Sequence, residues 1–239
     1  MSMRRALGNM VGLAGVALLA IAIGATVERL GYQSWQNWAF EQQLHGEPAN
    51  FTAFLHAKEM TTLAWLVGAQ QKPAEPEAAT AKPELPSESP TPQPAPAAPE
   101  GVVGRLTIPR LGLSAIVRDG DTDATLRVAL GHIPSTAFPG QNGNVGIAGH
   151  RDTLFRQLRH VRKHDVIWVE TPSGKYAYEV QSLQVVKPTD VAVLDPGPSP
   201  ELTLVTCYPF TYIGAAPDRF IVHASQISGV PASQITGGS

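Results

Sequence analysis

The chain has 239 residues, of which 16 % are charged, and a formal net charge of −2. That balance provides no basic field to draw it onto nucleic acid, and the length allows one sizeable domain with accessory segments. A single cysteine excludes an intramolecular disulfide and marks one thiol as a candidate reactive group.

Residues 8–27 form a twenty-residue stretch without a charge, preceded by Arg4 and Arg5. At ~1.5 Å per residue a helix of this length matches the ~30 Å hydrocarbon core of a bilayer. The run is longer than a signal-peptide core, and Glu28-Arg29-Leu30 follow directly, so an uncleaved transmembrane anchor over residues 1–30 is expected. The two arginines predict a cytoplasmic N-terminus and an extracytoplasmic remainder, on the inner (cytoplasmic) membrane.

Residues 31–71 read as a stalk or amphipathic segment. It contains Trp35, Trp38, Phe40, Phe51, Phe54 and Trp65 among polar residues. The aromatics just after the anchor suit a membrane interface, Gly46-Glu47-Pro48 interrupts a partial helical pattern, and a pair of surface helices without chemistry is the favoured reading. Residues 72–100 carry nine prolines in 29 positions and no aromatic residue. Such a segment buries too little apolar surface to offset its ordering entropy. It reads as a disordered polyproline-like spacer, reaching on the order of 90 Å at ~3.1 Å per residue and holding a domain away from the membrane.

From residue 101 the texture changes to short β-type runs between turn signals. Strands are predicted over 104–108, 115–117, 144–148, 166–170, 176–186, 202–206 and 220–224, with a hairpin turn at Thr171-Pro172-Ser173-Gly174. Short helices are predicted over 123–130 and over 153–159, the second capped by Asp152. Seven or eight strands over residues 101–228 point to a mostly antiparallel barrel or sandwich. Residues 229–239 read as a flexible tail.

Three reactive side chains fall at strand ends: His150 after 145–149, Cys207 closing 202–206, and Arg219 opening 220–224. Strand ends hold a side chain firmly yet let it reach solvent. A cysteine and a histidine are the minimum for thiol nucleophilic catalysis, in which the thiolate attacks a carbonyl and the imidazole protonates the leaving amine. An arginine adds a permanent multi-donor cation for an oxyanion or for substrate carbonyls. On spacing alone, a lone strand cysteine is more often a small buried hydrophobe, and sequence order does not show that the three converge.

The motifs carry a family resemblance. TLVTCYPF (203–210) resembles the TLxTC signature of sortases, APDRF (216–220) follows it, and GHIPSTAFPGQNGNVGIAGHRDTLFRQL (131–158) is similar to the segment bearing the sortase histidine. The match covers residues 101–228 and is closest in wording to class D and class E sortases. The resemblance implies a closed eight-stranded β-barrel with short helices, behind one transmembrane helix and a Pro-rich linker. It implies a cysteine transpeptidase in which Cys207 is the nucleophile, His150 the general acid/base and Arg219 the oxyanion or substrate stabiliser. Thr206 is expected to contribute to the oxyanion hole. The substrates implied are secreted proteins with an LPxTG-like C-terminal sorting signal, joined through a thioacyl-enzyme to an amine of the cell wall or of a pilin. With reference pKa values of ~8.5 for a thiol and ~6.5 for an imidazole, the ionised pair is populated to roughly 1 % near pH 7.5. A slow enzyme with a bell-shaped pH profile is expected.

His132 lies in Gly131-His132-Ile133-Pro134 and is weighed as groove-lining against a structural hydrogen bond, the second being favoured. No Cys/His spacing suggests zinc. Asp119, Asp121 and Asp123 lack the glutamate of a calcium loop, so no cofactor and no metal site is expected. Three alternatives stay open from the residues alone. One is an L,D-transpeptidase, whose SHGC-type motif Thr206-Cys207-Tyr208 does not resemble. The others are a thiol peptidase that releases its acyl group to water and a non-catalytic envelope module.

Overall fold

The computed structural model describes residues 2–45, 47–66 and 101–231. The proline-rich linker over 72–100 and most of the tail lie outside the described residues.

The apolar N-terminal stretch forms part of one long helix, α1 (Ser2–Leu44), whose span Gly12–Leu44 is long and apolar enough to cross a membrane. The helix does not stop at Leu30: the residues following contain no proline, and their only glycine, Gly31, is tolerated within it. It ends at Leu44, just before Gly46-Glu47-Pro48, and α2 (Phe51–Leu66) follows. Asn50 opens α2 by accepting a bond from Thr52 N at 2.9 Å. Trp35, Trp38, Phe51 and Phe54 pack as one aromatic cluster between the two helices, with ring centroids 5.2–6.0 Å apart.

The remaining elements are β1 (Val102–Ile108), β2 (Leu113–Asp119), α3 (Asp123–Val128), β3 (Leu130–His132) and β4 (Asn144–Ala148). They are followed by β5 (Val166–Thr171), β6 (Gly174–Val186), β7 (Glu201–Tyr208) and β8 (Asp218–Pro231). The strands close into a barrel in the order β1-β2-β3-β4-β7-β8-β6-β5. Closure pairs every strand on both sides, leaving no edge to template aggregation. Most pairings are antiparallel, but β2–β3 and β4–β7 are parallel. The hairpin between β5 and β6 pairs Thr171 with Gly174, leaving Pro172-Ser173 as its two-residue loop.

Alternation along the strands determines what lies inside. In β1 every second residue from Val102 is buried, and Leu106 and Ile108 are completely so. Val145, Ile147, Leu202, Leu204, Val222 and Ala224 join them in the interior, packed over Phe155 and Leu158. β4 is buried nearly throughout because loops cover its outer face as well. A side chain at Gly146 would press on Thr136, Leu194 and Ile133, which explains the glycine.

Two local expectations are corrected. The helix expected over 123–130 stops at Val128, so that Leu130–His132 can pair with β2 and β4; it is capped by Thr122, which accepts from Thr125 N at 3.3 Å. The segment Leu154–His160 is a 3₁₀ helix with no side-chain cap, so Asp152 does not start it.

Candidate active site

With Leu202 and Leu204 in the interior, the alternation of β7 carries Thr206 inward and turns Thr203, Val205 and Cys207 outward. On β8, Val222 and Ala224 face in, so Arg219, Ile221 and His223 share the outward face. Cys207 lies directly opposite Arg219 in the antiparallel ladder. Opposed residues on one face have Cβ atoms ~4.5–5.5 Å apart, which brings guanidinium and thiol within mutual reach. On the other side of β7, Ala148 pairs with Val205 in parallel register, so His150, two residues past the ladder, comes alongside Cys207. The three sequence-predicted residues therefore line one cleft of about 400 Å³.

The cleft floor is β4, β7 and β8. One wall is the 3₁₀ turn Val191–Leu194 between β6 and β7; the opposite wall is the start of α3, with Asp121, Asp123 and Leu126. Val191, Val193, Leu194, Ile133 and Ile221 make an apolar lining, while Lys187 and Arg219 supply cations. Such a trough, apolar along its length with the thiol at its floor, has the build of a groove for an extended ligand.

Support beneath the cleft is specific. Thr206 is buried, and its Oγ1 donates to Gly149 O at 2.7 Å, while Gly149 N donates to Val205 O at 3.1 Å. The hydroxyl proton of Thr206 thus ties the nucleophile strand to the histidine loop. Gly149 itself sits over fully buried Phe155 and Leu130; a Cβ there would come to 2.6 and 2.7 Å of their ring and methyl carbons. Arg219 is half-buried and uses Nη1 toward Asp218 O and Ala216 O, at 3.0 and 3.4 Å. Next to it, Lys187 Nζ pairs with Asp218 at 2.7 Å. Cys207 is a partly buried free thiol.

His132 lies elsewhere. It is buried, stacks on Phe138 at 4.3 Å, and bonds through Nε2 to Ala137 O and Thr136 Oγ1 at 3.0 and 3.2 Å. It organises the β3–β4 loop and does not line the cleft. Among the described residues no group of three or more His, Cys, Asp or Glu side chains gathers in a way that could hold a metal.

Other residues were given no role from the sequence, although alternation along its strand turned His223 away from the core. Arg151 Nη2 donates to Tyr212 O and Gly214 O at 2.7 and 3.0 Å, strapping the histidine loop to the β7–β8 loop that joins Cys207 to Arg219. Behind the cleft runs a buried chain. Thr203 Oγ1 donates to Asn144 Oδ1 at 2.8 Å and contacts His223 Nδ1 at 2.9 Å; Asn144 Nδ2 donates to Val193 O at 3.1 Å. That chain pins the Val191–Leu194 wall. Burial holds the His223 imidazole below its ordinary pKa, opposed by the charge of Glu201. The outward alternation of β7 and β8 was the available signal for Thr203 and His223; the covering loop was not visible in it.

A closed mixed barrel with thiol, imidazole and guanidinium in one outer cleft has the build of a thiol acyl-transfer site. The sortase domain model matches residues 106–227, just over half of the chain, and the protein belongs to the sortase family. It is 31 % identical to sortase D of Bacillus subtilis over 126 residues, covering 52 % of this chain and 64 % of that protein. It is 34 % identical to sortase E1 of Streptomyces coelicolor over 149 residues, covering 54 % of this chain and 41 % of that one. The chain thus spans less than two thirds of the length of either relative. Among solved structures it matches Streptomyces coelicolor sortase E1, which holds a tripeptide in its active site. That match has 30 % identity and a TM-score of 0.51, over 58 % of this chain and 94 % of the other.

Proposed function

We propose that the protein is a membrane-anchored cysteine transpeptidase that cuts a C-terminal sorting signal of the LPxTG kind and transfers the acyl fragment to an amine. The observation that carries this is the convergence of Cys207, His150 and Arg219 on one cleft through the register of β4, β7 and β8. In this reading the Cys207 thiolate adds to the scissile carbonyl, and the oxyanion forms beside the Arg219 guanidinium. His150 then gives its proton to the leaving amine as the C–N bond breaks, leaving a thioacyl-enzyme. The incoming amine adds to the thioester, passes its proton to His150, and expels the Cys207 thiolate as the new amide forms. Thr206 and Arg151 keep the histidine loop in register with the nucleophile, and the apolar lining receives the signal's apolar side chains. The apolar half of α1 supplies the anchor, with the barrel outside the cytoplasm.

Intact-mass measurement of the full chain with sorting peptides tests this. A thioacyl adduct on Cys207 that is discharged by an added amine into an amide product is expected. Discharge by water alone, at the same rate with and without amine, identifies a peptidase instead. A thiol that gives no adduct with any peptide and resists alkylation overturns the catalytic reading.

A further inference from the structure

α1 continues past its apolar stretch without a break and docks on the barrel. Glu28 pairs with Arg127 of α3 at 3.3 Å, one residue beyond the uncharged run. The Tyr32 ring lies 6.0 Å from the Arg118 guanidinium of β2. Gln33, 9 % exposed, donates from Nε2 to Val128 O at 2.6 Å and accepts from Ile116 N at 3.0 Å. Phe40 is fully buried against Val102 and Ile116, and Glu41 pairs with Arg105. This is a built interface. Without Gln33, a buried N–H and a buried C=O lose their partner, and such groups are rarely left unpaired.

We propose that the extramembrane half of α1 seats the barrel directly on the lipid bilayer, holding the cleft at a fixed height just above the membrane. The proposal rests on the reading of residues 8–27 as a membrane anchor. From Glu28 to Gln33 the helix rises only about 7.5 Å at ~1.5 Å per residue, so α3 and β2 lie within two turns of the hydrocarbon boundary. Trp35 and Trp38 fall in the next turns, where aromatic rings favour the headgroup layer, and Phe51 beside them is 58 % exposed. The same α3 whose C-terminal end is held by Gln33 presents Asp123 and Leu126 to the cleft. Seat and cleft thus share one short element. The site is then placed for substrates whose scissile segment is itself held close to the bilayer. The proline-rich segment over 72–100 does not set the height of the cleft.

The test uses the full chain in nanodiscs, with Cys207→Ala and one dye attached through Ile213→Cys, a 97 % exposed position. Energy transfer to a headgroup-labelled lipid reports the height of the barrel. Ten Gly-Ser residues inserted between Val27 and Glu28 leave the α1–barrel interface intact. They are expected to lower transfer, as the barrel moves outward by on the order of 15–20 Å. The double substitution Gln33→Ala/Phe40→Ala is expected to lower transfer as well, and to speed amide exchange at Ile116 roughly tenfold or more. Equal transfer for parent and insertion, the result for a barrel tethered only by a long linker, overturns the proposal, as does unchanged transfer and exchange in the double variant. A chain that does not load into nanodiscs overturns the anchor reading, and the seat with it. None of these readouts depends on catalysis, so failure of the transpeptidase reading would show separately in the adduct assay.

Discussion

Cys207 owes its place to two registers: opposite Arg219 in one ladder and level with the residue two beyond Ala148 in the other. Arg219 offers the cleft a forked cation already braced by carbonyls of Ala216 and Asp218. A lysine keeps the charge but not the planar fork. Arg219→Lys is expected to slow thioacyl formation by roughly 10²–10³-fold, the scale of losing an oxyanion donor, with little change in melting temperature. Stopped-flow intact-mass sampling checks it. Gly149 is the other residue where one atom matters. Its added methyl in Gly149→Ala meets Phe155 and Leu130 in a packed interior, at a cost of about 1–3 kcal/mol. Reduced melting temperature together with slower turnover is expected, because His150 is the next residue along the chain.

The turn Val191–Leu194 is fixed from below by Asn144, Thr203 and His223, three side chains on three different strands. Asn144→Ala removes the shorter of two bonds to Val193 O, leaving only the 3.4 Å one from Thr203 Oγ1, at a cost of ~0.5–1.5 kcal/mol. If the proposed peptide substrate lies in this cleft, the expected kinetic signature is a KM increase larger than the fall in kcat, since one cleft wall loosens while Cys207 and His150 stay in register. The same chain gives a pH response. Burial lowers the folded-state pKa of His223 below its unfolded value of ~6.5, so the neutral ring's contribution is complete above that value. It is lost as pH falls toward the folded pKa, because the unfolded chain takes up the proton more readily. The melting temperature should fall on going from pH 7 to pH 5, and His223→Gln should flatten that dependence. At this scale the sequence was informative where period and turn chemistry were clean. Residues 144–148 form the strand expected, and Thr171-Pro172-Ser173-Gly174 makes the expected hairpin. β3 escaped notice because three residues, Leu130-Gly131-His132, are too short to show a period and follow a helix without a turn signal.

At the scale of the molecule, barrel and helix α1 share a small hydrophobic cluster, Phe40 with Val102 and Ile116, and the two bonds of Gln33. Burial of Phe40 contributes ~1.5–3 kcal/mol and each unsatisfied partner of Gln33 costs ~1–3 kcal/mol. A fragment beginning at residue 101 should therefore melt at least about 5 °C below one beginning at residue 31, measured by differential scanning fluorimetry. The apolar run, the proline bias and the motif around Cys207 are local properties of the chain, so the sequence alone determined the expectation of an anchor, a β-rich domain and a thiol chemistry. Which strands lie side by side depends on long-range pairing. Only the tertiary structure could put β4 parallel to β7, cover Asn144 with the Val191–Leu194 turn, or spend one glutamine 83 residues from Ile116 on joining helix α1 to the barrel.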